Sequence, residues 1–272
     1  MARVCAAALD ALRRSRPLVH HITTEVTSGD VANATLALGA LPVMASAVEE
    51  VEEVAARADA LACNLGTLTP LRAEAMVRAA GAAAARGIPV VMDPVGVGGT
   101  VLRTETAARL LAAAPGMIVR GNPAEIAALA GASAQMRGVE ATGGPADPVA
   151  VVRALARSTG GVVAMTGARD YVSDGETLVA VDNGHPLLRR ITGAGCMATA
   201  AVAAFAAAGT PALVAAAAAL ATFGLAAERA AARASGPGTF HAALFDALDA
   251  LAPDDVANGA RLAVLEGEMR WT

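Results

Sequence analysis

A mostly parallel β-sheet with helices on both faces, the α/β class, is predicted by three features of this sequence. Short apolar runs alternate with longer helical patterns along most of the chain, which is how parallel sheets are built. The clearest run, 87–94 (Gly-Ile-Pro-Val-Val-Met-Asp-Pro), is continuously apolar until its end, as suits a strand buried on both sides. From Ile191 to Ala227 no side chain is charged. Helices apolar all round lie inside a protein.

Taken in order, 17–21 reads as a strand and 29–39 as a helix closed by Gly39. Residues 42–44 form a second short strand, and 48–58 a charged, exposed helix carrying Glu49, Glu50, Glu52 and Glu53 on a solvated face. A strand at 60–64 leads through the turn at Gly66-Thr67 into a helix over 70–86. After the strand at 87–94 come a strand at 117–120 and a helix over 123–130. The stretch 138–148, rich in Gly, Pro and Thr, reads as a surface loop before a helix at 149–158. A strand at 161–165 precedes a hairpin, 171–173 and 177–181, around Asp174-Gly175. The last third reads as helical, with a break at Gly209-Thr210-Pro211. No linker separates the halves, so 1–272 is expected to be one domain.

Composition narrows the function. Of 272 residues 55% are hydrophobic but only 2% aromatic, so alanine, valine and leucine must form the core. There is no lysine: the 21 basic residues are all arginine. Mechanisms that need a P-loop or Schiff-base lysine are excluded, and a phosphate site must use backbone N–H groups, arginine or metal. A net charge of -4 argues against nucleic acid. Cys5, Cys63 and Cys196 are odd in number and widely spaced, which suits a reducing cytoplasm rather than a disulfide framework. Residues 1–14 mix charge with alanine and lack a signal-peptide core. Mean hydropathy is +0.51. The apolar stretch 211–227 is nevertheless mostly alanine, interrupted by Thr222 and Gly224, and reads as interior helix rather than membrane span.

Chemistry is concentrated at one turn. In Ile191-Thr192-Gly193-Ala194-Gly195-Cys196, a glycine turn opens the apolar helix. The first N–H groups of a helix have no partner within it and carry the positive end of its dipole. Glycines let a phosphate approach them. The turn therefore reads as an anion hole for a transferring phosphoryl group, with Cys196 facing the acceptor. Alone, such a turn also fits a helix that merely buries a cysteine. Ligands in open α/β sheets bind beyond the carboxyl ends of the strands, and here those ends carry Asn64-Leu65-Gly66-Thr67, Asp93-Pro94, Arg120-Gly121-Asn122-Pro123-Ala124-Glu125 and Thr166-Gly167. Each is also ordinary turn punctuation; their convergence on one rim is what phosphoryl transfer requires. Asp93 and Glu125 are oxygen donors able to hold Mg²⁺ directly or through water, and Asn122 could orient that shell. Arg120 offers a planar fork to ATP phosphates, and Thr166 a hydroxyl.

The ordered set His20-His21-Ile22-Thr23, Val31-Ala32-Asn33, Pro42-Val43-Met44, Asn64-Leu65-Gly66-Thr67-Leu68, Asp93-Pro94-Val95-Gly96, Arg120-Gly121-Asn122-Pro123-Ala124-Glu125-Ile126 and Thr192-Gly193-Ala194-Gly195-Cys196 resembles the hydroxyethylthiazole kinases, ribokinase-like enzymes of thiamine biosynthesis. The resemblance spans roughly residues 17 to 260. It implies a ribokinase-like three-layer sandwich without a lid domain. It further implies ATP-dependent phosphorylation of the hydroxyl of 4-methyl-5-(2-hydroxyethyl)thiazole, with Mg²⁺, in a homotrimer whose sites lie near subunit contacts. By position it assigns Met44 and Gly193 to the thiazole alcohol, with Asn64, Gly66 and Thr67 nearby, and Arg120 and Thr166 to ATP. Asn122 and Glu125 match the metal-organising motif. Ribokinase-like relatives usually carry an aspartate base where Cys196 stands. Three positions depart from the pattern: Thr24 where asparagine is usual, Gly29 before Asp30, and Glu140 in place of aspartate. Thr24 and Gly29 fall in the segment that would meet the substrate. They keep open a ribokinase-like kinase for another heteroaromatic alcohol, such as a hydroxymethylpyrimidine. Cysteine-nucleophile hydrolysis would need a histidine near Cys196, and none is local. A nucleotide-binding sensor without turnover is opposed by the intact carboxylates.

A thiol at a helix N-terminus is expected to be acidified, so Cys196 reads as a weak general base. Cys5, Cys63 and the methionines at 76, 92, 117 and 165 read as core. His20 and His21 either line the pocket or hydrogen-bond locally at a strand end. His185 and His241 show no partner pattern, and Arg169-Asp170 reads as a turn beyond Thr166.

Overall fold

The structure, a computed structural model, describes residues 1–134 and 147–267; side chains are described outside 132–134. The chain opens on α1 (Ala2–Ser15), β1 (Leu18–Ile22), a 3-10 turn (Glu25–Thr27), α2 (Ser28–Leu38), β2 (Leu41–Met44), α3 (Val51–Ala55) and β3 (Ala60–Asn64). It continues through α4 (Pro70–Ala85), β4 (Val90–Asp93), α5 (Val101–Ala113), β5 (Ile118–Gly121) and α6 (Pro123–Ala134). Then follow α7 (Pro148–Thr159), β6 (Val162–Met165), β7 (Asp170–Ser173), β8 (Leu178–Val181) and a second 3-10 turn (Pro186–Arg190). The chain closes with α8 (Ala194–Ala207), α9 (Ala212–Ala231), α10 (Pro237–Ala250), α11 (Pro253–Gly259) and β9 (Leu262–Glu266).

The nine described strands form one sheet, in the order β2-β1-β3-β4-β5-β6-β7-β8-β9. β1 to β6 are parallel neighbours, and β7, β8 and β9 are antiparallel additions at one edge. Alternate side chains of each strand feed two separate cores. Val19, Ala62, Val91 and Ala164 pack with α8 and α9, while Leu61, Cys63, Met92 and Val163 pack with residues of α4, α5 and α7. That division makes three layers. Alanine lets α8 and α9 come close to each other and to the sheet. At Gly224 of α9 even a Cβ would lie 2.5 Å from the Asn183 carbonyl oxygen. α9 is long and apolar enough to cross a membrane, and most of it is buried inside the protein, which accounts for its composition.

Local chemistry explains the punctuation. Thr69 accepts a hydrogen bond from the Arg72 amide and Pro70 opens α4, a helix start the sequence announces. Asp174 accepts from the amides of Glu176 and Thr177 and sets the β7–β8 turn.

Several expectations are corrected. The exposed helix at 48–58 shortens to α3, because the acidic run keeps only Val51 and Ala55 buried. α1 and α5 were not anticipated. α1 buries Cys5, Leu9 and Leu12 and exposes arginines, so its mixed composition is amphipathic. The final third is not wholly helical, since β9 pairs antiparallel with β8. The loop expected at 138–148 lies outside the described residues up to 146, as does Glu140; Pro148 opens α7 under the Asp147 cap. Cys5 and Cys63 are core residues whose thiols burial pushes up to about 11 and about 12.

Candidate active site

Register assembles the site. β3 and β4 pair so that Asn64 stands opposite Asp93, and Asn64 Nδ2 donates to Asp93 Oδ2 at 2.7 Å. The same carboxamide nitrogen lies 3.3 Å from Cys196 Sγ, and Asn64 Oδ1 accepts from the Gly66 amide at 2.9 Å. Thr199, one turn beyond Cys196 on α8, donates to Asp93 Oδ2 at 2.9 Å. The sequence reading missed Thr199; its spacing from Cys196 puts the two on one face of the helix, and that was the available signal.

Arg120, at the end of β5, is the cation of the cluster. Its Nη2 donates to Thr166 Oγ1, and its Nη1 lies 3.8 Å from Asp93 Oδ2. The guanidinium also lies against the first turn of α8, where a Cβ on Gly195 would stand 2.7 Å from Nη1. Gly193 caps α8 with φ of +83° and, lacking a side chain, makes no cap hydrogen bond of its own. A Cβ there would come within 2.7 Å of Thr27 Cγ2. The positive φ and the crowding both demand glycine. Thus Gly193, Ala194, Gly195 and Cys196 present a helix N-terminus backed by a buried arginine. No lysine is needed to make this corner positive.

Asn122 and Glu125 cap α6 reciprocally: the Glu125 amide donates to Asn122 Oδ1 at 3.0 Å, and the Asn122 amide to Glu125 Oε2 at 2.9 Å. This is capping-box geometry. Glu125 Oε1 also accepts from the Gly96 amide at 3.2 Å. Among the described residues, no three His, Cys, Asp or Glu side chains converge as a ready-made metal cage. Mg²⁺ does not require one, since it keeps several waters and uses one or two carboxylates with substrate phosphates. The donor set fits such an ion. Glu125, half-buried, has lone pairs left beyond its two amides, whereas Asp93 is enclosed by Asn64, Thr199 and Arg120.

Electrostatics overturn one expectation. The Cys196 thiol is not acidified: burial and then the Asp93 charge push it above the ordinary thiol range, and Thr27, Arg120 and Asn64 offset this only in part. A helix dipole acts locally, but desolvation and a buried carboxylate outweigh it here. Asp93 itself is raised to about 6 by burial, against the pull of Arg120.

The remaining sequence candidates divide. Thr24 joins the site loop, its Oγ1 lying 3.0 Å from Thr67 Oγ1. Met44 is exposed on the edge strand β2, two places from β3 in the sheet. His20 and His21 are buried structural residues: His20 Nε2 bonds the Ala45 carbonyl at 2.8 Å, and His21 Nε2 bonds Thr35 Oγ1 at 3.1 Å. Burial drives His21 down to about 3, so it is neutral. His241, which showed no partner pattern in sequence, has Nε2 3.1 Å from Asp30 Oδ1. Asp170 accepts from the Gly167 amide at 2.8 Å and shapes the turn beyond Thr166, as its sequence suggests.

Known proteins similar to this chain identify its family. A solved hydroxyethylthiazole kinase from Pyrococcus horikoshii OT3 superposes with a TM-score of 0.89 at 42% identity, covering 96% of this chain and 99% of its own. More distant structures share the fold alone. A ribokinase-like superfamily protein from Enterococcus faecalis V583 has a TM-score of 0.61 at 14% identity, covering 88% of this chain and 93% of its own; the architecture is ribokinase-like. Among curated proteins, the hydroxyethylthiazole kinase of Roseiflexus sp. (strain RS-1) is 52% identical over 95% of each chain. That of Rubrobacter xylanophilus is 54% identical over 94% of this chain and 96% of its own. With residues 9–254 matching the model of the hydroxyethylthiazole kinase family, this chain belongs to that family.

Proposed function

We propose that the chain phosphorylates the primary hydroxyl of 4-methyl-5-(2-hydroxyethyl)thiazole with ATP. The observation that carries this is one cluster: the open first turn of α8, Arg120 beneath it, and Cys196 held by Asn64 beside Asp93. The acceptor oxygen attacks the γ-phosphorus as the bond to the β-phosphate oxygen breaks. The amides of Gly193 to Cys196 and the Arg120 guanidinium stabilise the charge on the transferring group. Thr166 and Asn122 orient the nucleotide side, and the loop of Asn64, Gly66 and Thr67, with Thr24, orients the alcohol. Glu125, through water, is the residue suited to hold Mg²⁺, with the enclosed Asp93 behind it. When bound, the ion would neutralise phosphate charge.

Met44 completes the alcohol site from the exposed edge strand. Leu41 and Met44 on β2, with Val26 and Leu36 nearby in sequence, are large apolar side chains left exposed. They suit burial against a neighbouring copy, in keeping with a homotrimer whose sites lie at subunit contacts. Three free cysteines suit the cytoplasm.

Radiolabel transfer from ATP to the thiazole alcohol tests the assignment. Transfer is expected with Mg²⁺ and almost none after chelation. Faster transfer to a hydroxymethylpyrimidine would replace the substrate reading.

Cys196 accepts the hydroxyl proton in its thiolate form, and its raised pKa leaves it largely protonated near pH 7. Wild-type kcat/KM should therefore climb toward alkaline pH. Cys196→Asp supplies a base that the same burial and Asp93 raise from the carboxylate range, about 4, rather than from the thiol range, so more of it is ionised near pH 7. It should match or exceed wild type near pH 7 with a flat profile above it, because loose phosphoryl transfer asks little of a base. A folded Cys196→Asp enzyme that binds both substrates without turnover would remove Cys196 from this role.

A further inference from the structure

Thr67, in the turn beyond β3, has φ of +46°, a region that β-branched residues rarely enter. Specific contacts hold it there. Arg72 Nη1 donates to both the carbonyl oxygen and Oγ1 of Thr67, each at 2.9 Å, and Thr24 Oγ1 lies 3.0 Å from Thr67 Oγ1. The other end of the guanidinium, Nη2, meets Glu25 Oε1 at 2.5 Å. Arg72 is buried while Glu25 is exposed. An ion pair with an exposed partner gains little, so Glu25 alone does not explain why an arginine is drawn inward. Its two bonds to Thr67 do. Arg72 is therefore the joint between the first turn of α4, the Asn64–Thr67 loop and the 3-10 turn before α2.

We propose that Arg72 is a positioning residue for the acceptor alcohol: it keeps Thr67 left-handed and so fixes the loop that carries Asn64 and Gly66, without touching the alcohol itself. The proposal rests on the acceptor site assigned above. The nucleotide residues Arg120 and Thr166 lie on β5 and just beyond β6, and Asn64 is separately fixed by β3 and its bond to Asp93, so the joint acts chiefly on the Gly66–Thr67 side that meets the alcohol.

The test compares Arg72→Met and Arg72→Lys with wild type, by steady-state kinetics on the thiazole alcohol and by hydrogen exchange over residues 64–68. Arg72→Met should raise KM for the alcohol about tenfold, or about 1.4 kcal/mol, with KM for ATP and kcat within about twofold. Loop exchange should quicken. Arg72→Lys should fall between, since an ammonium cannot reproduce the fork. Arg72→Met should lose both bonds to Thr67, whereas Arg72→Lys keeps one donor in reach, so the two variants rank by how many of those bonds survive. Equal losses in kcat and both KM values would reduce Arg72 to packing and overturn the proposal. Unchanged loop exchange in Arg72→Met would also overturn it. Should wild type fail to phosphorylate the thiazole alcohol, the acceptor assignment falls, and the exchange comparison still decides whether Arg72 sets the loop.

Discussion

Replacing Arg120 by methionine should lower kcat/KM for ATP about 10³-fold, the scale seen when a charge-neutralising arginine is removed from phosphoryl transfer. Arg120 reaches Thr166, Asp93 and the first turn of α8 with one planar group, and methionine replaces its volume without its charge or fork. Arg120→Lys should recover only part of the loss, since one ammonium cannot serve three directions. Stability gives a second readout. Asp93 is buried and its carboxyl is already raised to about 6 with Arg120 in place. Without Arg120 it rises further. A carboxyl raised on folding holds its proton more tightly in the folded state. Its ionisation therefore costs stability as pH rises through the folded pKa, and costs nothing where it stays protonated. The thermal stability gap between Arg120→Met and wild type should be small near pH 5. It should widen toward pH 8, approaching about 3 kcal/mol, the loss on breaking a buried pair. Melts at several pH values without nucleotide or metal measure this. A gap that ignores pH, or turnover near wild type, would remove Arg120 from the centre of the site.

The parts of the site that sequence made legible share a cause. Asn64, Asp93, Arg120 and Thr166 end, or directly follow, the neighbouring strands β3, β4, β5 and β6. In a parallel sheet, chain order then becomes spatial order on one rim. Gly193 and Cys196 were legible as a helix start because glycines lead there into a long uncharged helix. What stayed hidden depends on tertiary placement. Thr199 sits inside a run of alanines that reads only as core. Arg72 looks like a surface residue of α4 until the 3-10 turn carrying Glu25 covers it. The Cys196 shift was misjudged in sign because the dipole is written in local sequence, whereas burial and Asp93 come from other elements. α1 was legible in the helical spacing of Cys5, Leu9 and Leu12 and was overlooked beneath its alanines and arginines; the short edge strand β9 is only partly buried and carries a weak signal.

Gly195→Ala should cost about 10²-fold in kcat/KM, the scale of losing one oriented donor to a transition state, without loss of stability. Alanine is the better helix former by about 1 kcal/mol, and Gly195 lies within α8, where its φ is not left-handed. The added methyl would stand 2.7 Å from Arg120 Nη1, closer than the two groups can approach. The guanidinium, the far end of a flexible side chain, must therefore shift off the turn while staying beside Asp93. The methyl would also crowd the amides that the γ-phosphate has to reach. Gly193→Ala is the instructive contrast. Its φ of +83° and the 2.7 Å approach to Thr27 make it lose stability, by about 1–2 kcal/mol, as well as rate. Thermal melts beside initial rates separate the two variants. Loss of rate at undiminished stability in Gly195→Ala would mean that the amides and the arginine work as one anion site. Wild-type turnover in that variant would mean that the phosphate never comes to this turn, and that positive charge here serves only to keep Asp93 buried.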